Sequence, residues 1–145
     1  MSTSKQKLSY YRLRLQELLN TSFPELAWDE AFIARRSQLA GNAYEGAFKA
    51  GNTIEYSSKI ADYILFEGLH FSRFDTVFKV VCTEFDTIMA DQELYPFALK
   101  MFPVCQDTFL GYTLSDDFGS TAEFDVLYTE LTGTIQLWIE ENGLQ

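Results

Sequence analysis

Residues 101–145 contain no Lys, Arg or His, although they carry eight carboxylates: Asp107, Asp116, Asp117, Glu123, Asp125, Glu130, Glu140 and Glu141. Residues 1–100 hold eleven bases against thirteen acids, so most of the formal charge of −10 comes from the last third. Other absences narrow the chemistry. A single histidine, His70, removes Ser-His-Asp and Cys-His catalysis as a default. Two cysteines, Cys82 and Cys105, give no disulfide framework and are expected to pack as small apolar side chains. Neither is flanked by bases or followed by a helix start that would activate it. Three prolines and eight glycines leave little material for disordered linkers. There is no long apolar run: Tyr63 to Phe66 is far too short to cross a bilayer. The opening Met1-Ser-Thr-Ser-Lys-Gln-Lys lacks the apolar stretch of a secretory signal, so a cytoplasmic location is expected. A pI near 4.4 disfavours direct contact with nucleic-acid phosphates.

What is abundant is aromatic. Thirteen Phe, eight Tyr and two Trp make 16% of the chain, so the core should be built on rings, each burying ~150–250 Å² with specific geometry. At 145 residues one domain is expected, 1–145.

Apolar spacing is helical nearly throughout. Phe74, Val77, Phe78, Val81, Phe85 and Ile88 form one stripe of a 3.6-residue period. Phe124, Leu127, Tyr128, Leu131, Ile135 and Trp138 form another. Six helices are expected: Leu8–Leu19, Asp29–Ala50, Asn52–Glu67, Ser72–Met89, Asp91–Leu110 and Ser120–Asn142. Asn52–Glu67, apolar around most of its circumference, is the candidate central helix. Ser72 with Asp75 and Ser120 with Glu123 fit the capping-box spacing, and Asp29 can cap the second helix with Trp28 and Ile33 as its staple. Gly51, Gly68 and Gly143 stand where helix ends turn left-handed. Pro96 and Pro103 predict a kink or break in the fifth helix. The fold class is therefore all-α, a compact multihelical bundle of about six helices. Its longest non-helical stretch, Gly111–Gly119, is the loop where function is sought first.

No motif supplies catalysis. Glu67-Gly-Leu-His70 has the Glu-x-x-His spacing of di-iron bundles, which need two such pairs and further glutamates. Asp117-Phe118-Gly119 matches a kinase tripeptide without the other kinase signatures. Gly41 to Gly46 has phosphate-loop spacing, but Ala47 and Phe48 stand where Lys and Ser or Thr are needed. Asp116-Asp117 lacks the alternating acids of a calcium loop and is at home in a solvated turn. Glu84, Asp86 and Asp62 would need burial to become acid–base groups. No metal, cofactor or catalytic residue is assigned.

The acidic third is read as a solvated face, as a docking face for a basic protein, or as a DNA mimic. Docking is the functional expectation, with Asp107, Asp116, Asp117, Glu123, Asp125, Glu130, Glu140 and Glu141 as candidate interaction residues. The chain is thus expected to be a non-enzymatic accessory or regulatory protein with an unidentified protein partner. No membrane contact is expected, and a homodimer is left open. Two alternatives remain: an aromatic-lined pocket with a buried carboxylate, serving a small ligand or an enzyme, and a nucleic-acid contact through the basic face Lys5, Lys7, Arg12 and Arg14. That face meets no acid before Glu17.

Six strings, Ser9-Tyr-Tyr-Arg-Leu-Arg-Leu15, Ser22-Phe-Pro-Glu-Leu26, Asp29-Glu-Ala-Phe-Ile33, Leu65-Phe-Glu-Gly-Leu-His-Phe-Ser72, Leu114-Ser-Asp-Asp-Phe118 and Tyr128-Thr-Glu-Leu-Thr-Gly133, carry a family likeness. Together they resemble a small helical domain-of-unknown-function family of gut and oral anaerobic bacteria, often associated with conjugative or mobile elements. The resemblance implies a multihelical fold and brings no activity, ligand or catalytic residue.

Overall fold

The computed structural model describes residues 5–144. It contains seven α-helices and one 3-10 turn, with no strand among the described residues. The helices are α1 (Lys5–Ser22), α2 (Glu30–Lys49), α3 (Ile54–Leu65), α4 (Arg73–Glu84), α5 (Asp91–Val104), α6 (Gln106–Phe109) and α7 (Ala122–Asn142). The 3-10 turn is Phe118–Ser120. The chain divides into two compact units, Met1–His70 and Phe71–Gln145.

In the first unit α1 contributes Tyr11, Leu15 and Leu19, one face at four-residue spacing, to a core shared with Phe23, Ile33 and Leu65. The α2–α3 hairpin closes over small side chains, with Ser37, Ala40 and Gly41 buried on α2 and Ser57 and Ala61 buried on α3. Small residues let two helix backbones approach. They also explain why α3 is not the central helix expected from its composition: Ile54, Tyr56 and Tyr63 face water, and its buried residues are Ser57, Ala61 and Leu65. Asp29 caps α2 through the Phe32 amide at 3.1 Å. The staple across it does not form, because Ile33 enters the core while Trp28 is 90% exposed. Thr53 caps α3 by accepting from the Tyr56 amide at 3.1 Å. At the other end of α3, Arg36 Nη1 donates to the carbonyls of Ile64, Leu65 and Glu67 at 3.3, 3.2 and 2.7 Å. It satisfies acceptors that a helix end leaves orphaned.

In the second unit α4, α5 and α7 bury Phe74, Val77, Val81, Met101, Leu127 and Ile135. Rings organise this core. Phe118 meets Phe71, Tyr112 and Phe124 edge-on or near it, and Phe74 meets Phe78, Tyr95 and Phe102. Ser72 caps α4 by accepting from the Asp75 amide at 2.9 Å. The expected Ser120 cap is replaced by Thr121 as N-cap, whose hydroxyl turns back to the Phe118 carbonyl at 2.7 Å, so α7 starts at Ala122 without a side-chain cap. α4 ends at Glu84, five residues before the expected Met89, because Phe85 drops into the core and leaves Ile88 outside. The fifth expected helix breaks at Cys105, just after Pro103, while Pro96 is carried inside α5. Gly51, Gly68 and Gly143 all adopt positive φ, at 98°, 79° and 76°.

Candidate functional site

All eight acids of the C-terminal third are exposed, and all belong to the second unit. The cation-free stretch after Lys100 lies wholly within the second unit, so the division into units is also a division of charge. Residues 1–70 hold eight acids and eight bases, whereas residues 71–145 hold thirteen acids and three bases. The three cations lie over rings: Arg73 is 5.9 Å from the Phe102 centroid, Lys79 is 5.4 Å from Phe124, and Lys100 is 5.1 Å from Trp138.

Two of the predicted acids converge on one groove. α6 and the start of the following loop supply Asp107, Thr108, Gly111 and Tyr112, and α7 supplies Glu130, Gly133, Thr134 and Leu137. The space is about 600 Å³. Thr108 and Thr134 join their hydroxyls across it at 3.2 Å, and the Tyr112 hydroxyl donates to the Glu130 carboxylate. That hydrogen bond, with smaller contributions from desolvation and from Glu123, pushes the Tyr112 pKa up to about 12. Tyr112 thus ties the loop to α7 as a neutral donor across the physiological range. A Cβ built on Gly133 would meet nothing within 4 Å, so packing does not demand glycine there. What it does is keep the groove floor open.

The remaining predicted acids spread outwards. Asp116 and Asp117 sit in the loop, where the Ser115 hydroxyl donates to Asp117 at 2.8 Å. Glu123 and Asp125 occupy the first turn of α7, where the helix dipole favours them. Glu140 and Glu141 lie at its other end, where the dipole disfavours them and the last turn holds no base, although Gln136 Nε2 donates to Glu140 at 3.1 Å.

The other sequence candidates behave differently. Lys5 opens α1, and its side chain lies outside the described residues. Lys7 stands 3.6 Å over the Tyr44 ring, Arg12 pairs with Glu30, and Arg14 donates to Asp62 at 2.5 Å. The hydrogen bond to Asp62 is the main reason the Arg14 pKa is raised. Lys7, Arg12 and Arg14 are thus engaged by their own unit. Glu67 and His70 are exposed in the turn after α3. Among the described residues no group of His, Cys, Asp and Glu is placed to hold a metal ion. The expected alternative of a buried carboxylate is corrected: no Asp or Glu among the described residues is buried, and the buried polar side chains are Ser22, Ser37, Ser57, Ser72 and Thr76. Glu84 instead accepts from the Tyr128 hydroxyl at 2.8 Å in an exposed contact. Burial pushes the Cys105 thiol up to about 12, and also raises Cys82, so neither is poised as a thiolate.

Sequence reasoning found Asp107 and Glu130 but not the groove between them. Its signals were present singly: Tyr112 in the suspected loop, and Gly133 inside a helical stretch where glycine is unfavourable.

Fold and surface together define an all-α protein whose second unit is strongly acidic. The chain belongs to the DUF1896 family, a domain of unknown function whose model matches residues 3–144. It is similar to protein PG0816 from Porphyromonas gingivalis, whose crystal structure superposes with a TM-score of 0.86 at 41% identity, over 97% of this chain and 96% of that one. No curated protein matches it. Among the described residues no helix is long and apolar enough to cross a membrane.

Proposed function

We propose that this chain is a non-enzymatic accessory protein whose second unit docks a basic protein partner through the α6–α7 groove and the acids around it. The observation that carries this reading is the charge division between units, thirteen acids against three bases in the second and parity in the first. A one-sign surface of this kind raises encounter rates with oppositely charged partners and repels like-charged ones. Glu141 at the end of α7, where the dipole disfavours an acid, and Gly133, a groove-lining glycine that packing does not require, support it. The association with mobile elements implied by the sequence resemblance belongs to the same proposal. Proteins that handle DNA meet its phosphates with Lys and Arg, and so are of the class such a unit would attract.

The test compares wild type with two charge-altered chains in pull-downs from native lysate at low and raised salt. One carries Asp107→Asn and Glu130→Gln, the other Asp116→Lys, Asp117→Lys and Glu123→Lys. A basic protein retained by wild type, released by salt and lost from both variants is the expected result. Identical captured sets from all three chains would overturn the reading.

A further inference from the structure

A second groove in the acidic unit lies at the α4–α5 turn. We infer that it is the anchor pocket of the docking surface and takes one large apolar side chain carried next to Lys or Arg on the partner. This inference rests on the reading of the second unit as a docking module for a basic protein.

Charge complementarity sets encounter rate and selectivity more than affinity, whereas the energy of a stable interface concentrates in a few apolar or aromatic anchors seated in pockets. The α6–α7 groove offers hydroxyls and carboxylates. The α4–α5 groove offers an apolar floor and walls made by Ile88, Met89, Pro96, Phe97 and Leu144, around about 430 Å³. That volume is within the ~300–1,000 Å³ typical of ligand pockets.

The sequence builds it from three local events. α4 stops once Phe85 has entered the core, so the stripe that began at Phe74 leaves Ile88 46% exposed and Met89 half-buried in the connecting segment. α5 then presents Pro96 and Phe97 from its second turn. Gly143, at φ 76°, ends α7 and carries Leu144 onto the groove wall, 42% exposed. Methionine in such a wall adapts to side chains of differing shape.

The polar groups of the rim decide which apolar ligand fits. Pro96 has no amide hydrogen and cannot donate to the Gln92 carbonyl as the fourth residue of a helical turn would, and Gln92 lines the groove beside it. Glu93 adds a carboxylate, held in place by the Ala90 amide at 2.8 Å. Lys100 is the one cation on the rim and stands over Trp138. An apolar anion would meet that single ammonium on a rim that also carries Glu93, inside a unit whose charge is −10. An apolar residue flanked by Lys or Arg meets the Glu93 carboxylate and a favourable field extending about 8 Å at physiological salt.

The experiment titrates the full chain with two synthetic peptides of equal positive charge, Lys-rich and differing by a central Phe or Ala. The Phe peptide is expected to bind about 10- to 100-fold more tightly, the effect of a buried anchor. Ile88→Glu and Leu144→Asp alter exposed positions outside the helices, and unchanged helical circular dichroism checks their fold. Each should remove most of the Phe advantage while leaving the salt-dependent binding common to both peptides. Lys100→Ala should tighten the Phe peptide several-fold. Equal binding of the two peptides to wild type would overturn the anchor alone. Displacement of the Phe peptide by dodecanoate, with dodecanoate binding lost in Lys100→Ala, would overturn it in favour of a carboxylate ligand. Absence of binding by either peptide at low salt would overturn the docking reading itself, and the anchor with it.

Discussion

The two units are built from the same kind of helix but use their charges differently. In the first, acids and bases are equal in number, and four of its eight cations engage groups of their own unit: Arg12 on Glu30, Arg14 on Asp62, Lys7 on the Tyr44 ring, and Arg36 on three carbonyls at the end of α3. In the second, rings hold the core, the three cations lie over rings, and the acids of the C-terminal third face water. Acids and bases balance in one unit and leave a large excess of exposed acid in the other. Composition alone, with its single value of −10, conceals that division.

The comparison can be broken most severely in the ring core. Phe118 is 2% exposed and contacts Phe71, Tyr112 and Phe124, so Phe118→Ala should destabilise the protein by about 3–5 kcal/mol in denaturant unfolding. A loss below 1 kcal/mol would mean that the rings do not organise the second unit. Arg36→Ala comes next, at about 2 kcal/mol, because it strips a charged donor from three helix-end carbonyls. Arg36→Lys should recover part of that, since an ammonium still donates but lacks the planar fork.

Alkaline pH sharpens the contrast. Burial, reinforced by Asp62, pushes Tyr11 up to about 12 from 10.0. The folded state thus keeps a proton that the unfolded chain releases. Its contribution to stability is complete below pH 10 and is lost as pH rises from 10 towards 12. Thermal melts across that window should show a fall in Tm that is smaller in Tyr11→Phe. Tyr112 and Cys105, also at about 12, should leave a residual fall.

The smallest effects separate stability from binding. Gly46 in α2 and Gly133 in α7 both have open space where a Cβ would go, so Gly→Ala at either should stabilise by roughly 0.5–1 kcal/mol. Bulk at Gly133 should also obstruct the α6–α7 groove: Gly133→Leu should weaken a basic partner, while Gly46→Leu should not. Loss of binding from both would place the effect elsewhere.

Much of this fold was legible in the sequence because it is local. The apolar stripes of α4 and α7, the caps at Asp29 and Ser72, and the left-handed turns at Gly51, Gly68 and Gly143 each depend on residues within a few positions of one another. What was missed depends on neighbours far along the chain. No Gly or Pro marks the end of α4, and the stripe continues through Ile88, so periodicity alone overruns it. α3 looked central because it is apolar around most of its circumference, yet the residues it buries are Ser57, Ala61 and Leu65. All eight acids were legible, but the groove shared by Asp107 and Glu130 exists only once α6 packs on α7. The boundary at His70 was hidden for the same reason, since it is set by which helices pack together.

The central claim is that the acids of the second unit act outward as a docking field. The most direct measurement is the affinity of the full chain for the Lys-rich peptide bearing Phe, followed from 50 to 500 mM salt in wild type and in the Asp107→Asn, Glu130→Gln chain. The account predicts an affinity that falls at least about tenfold over that range as screening shortens the field, and a weaker starting value with a shallower slope in the variant. An affinity independent of salt, or a variant that follows wild type throughout, would contradict it.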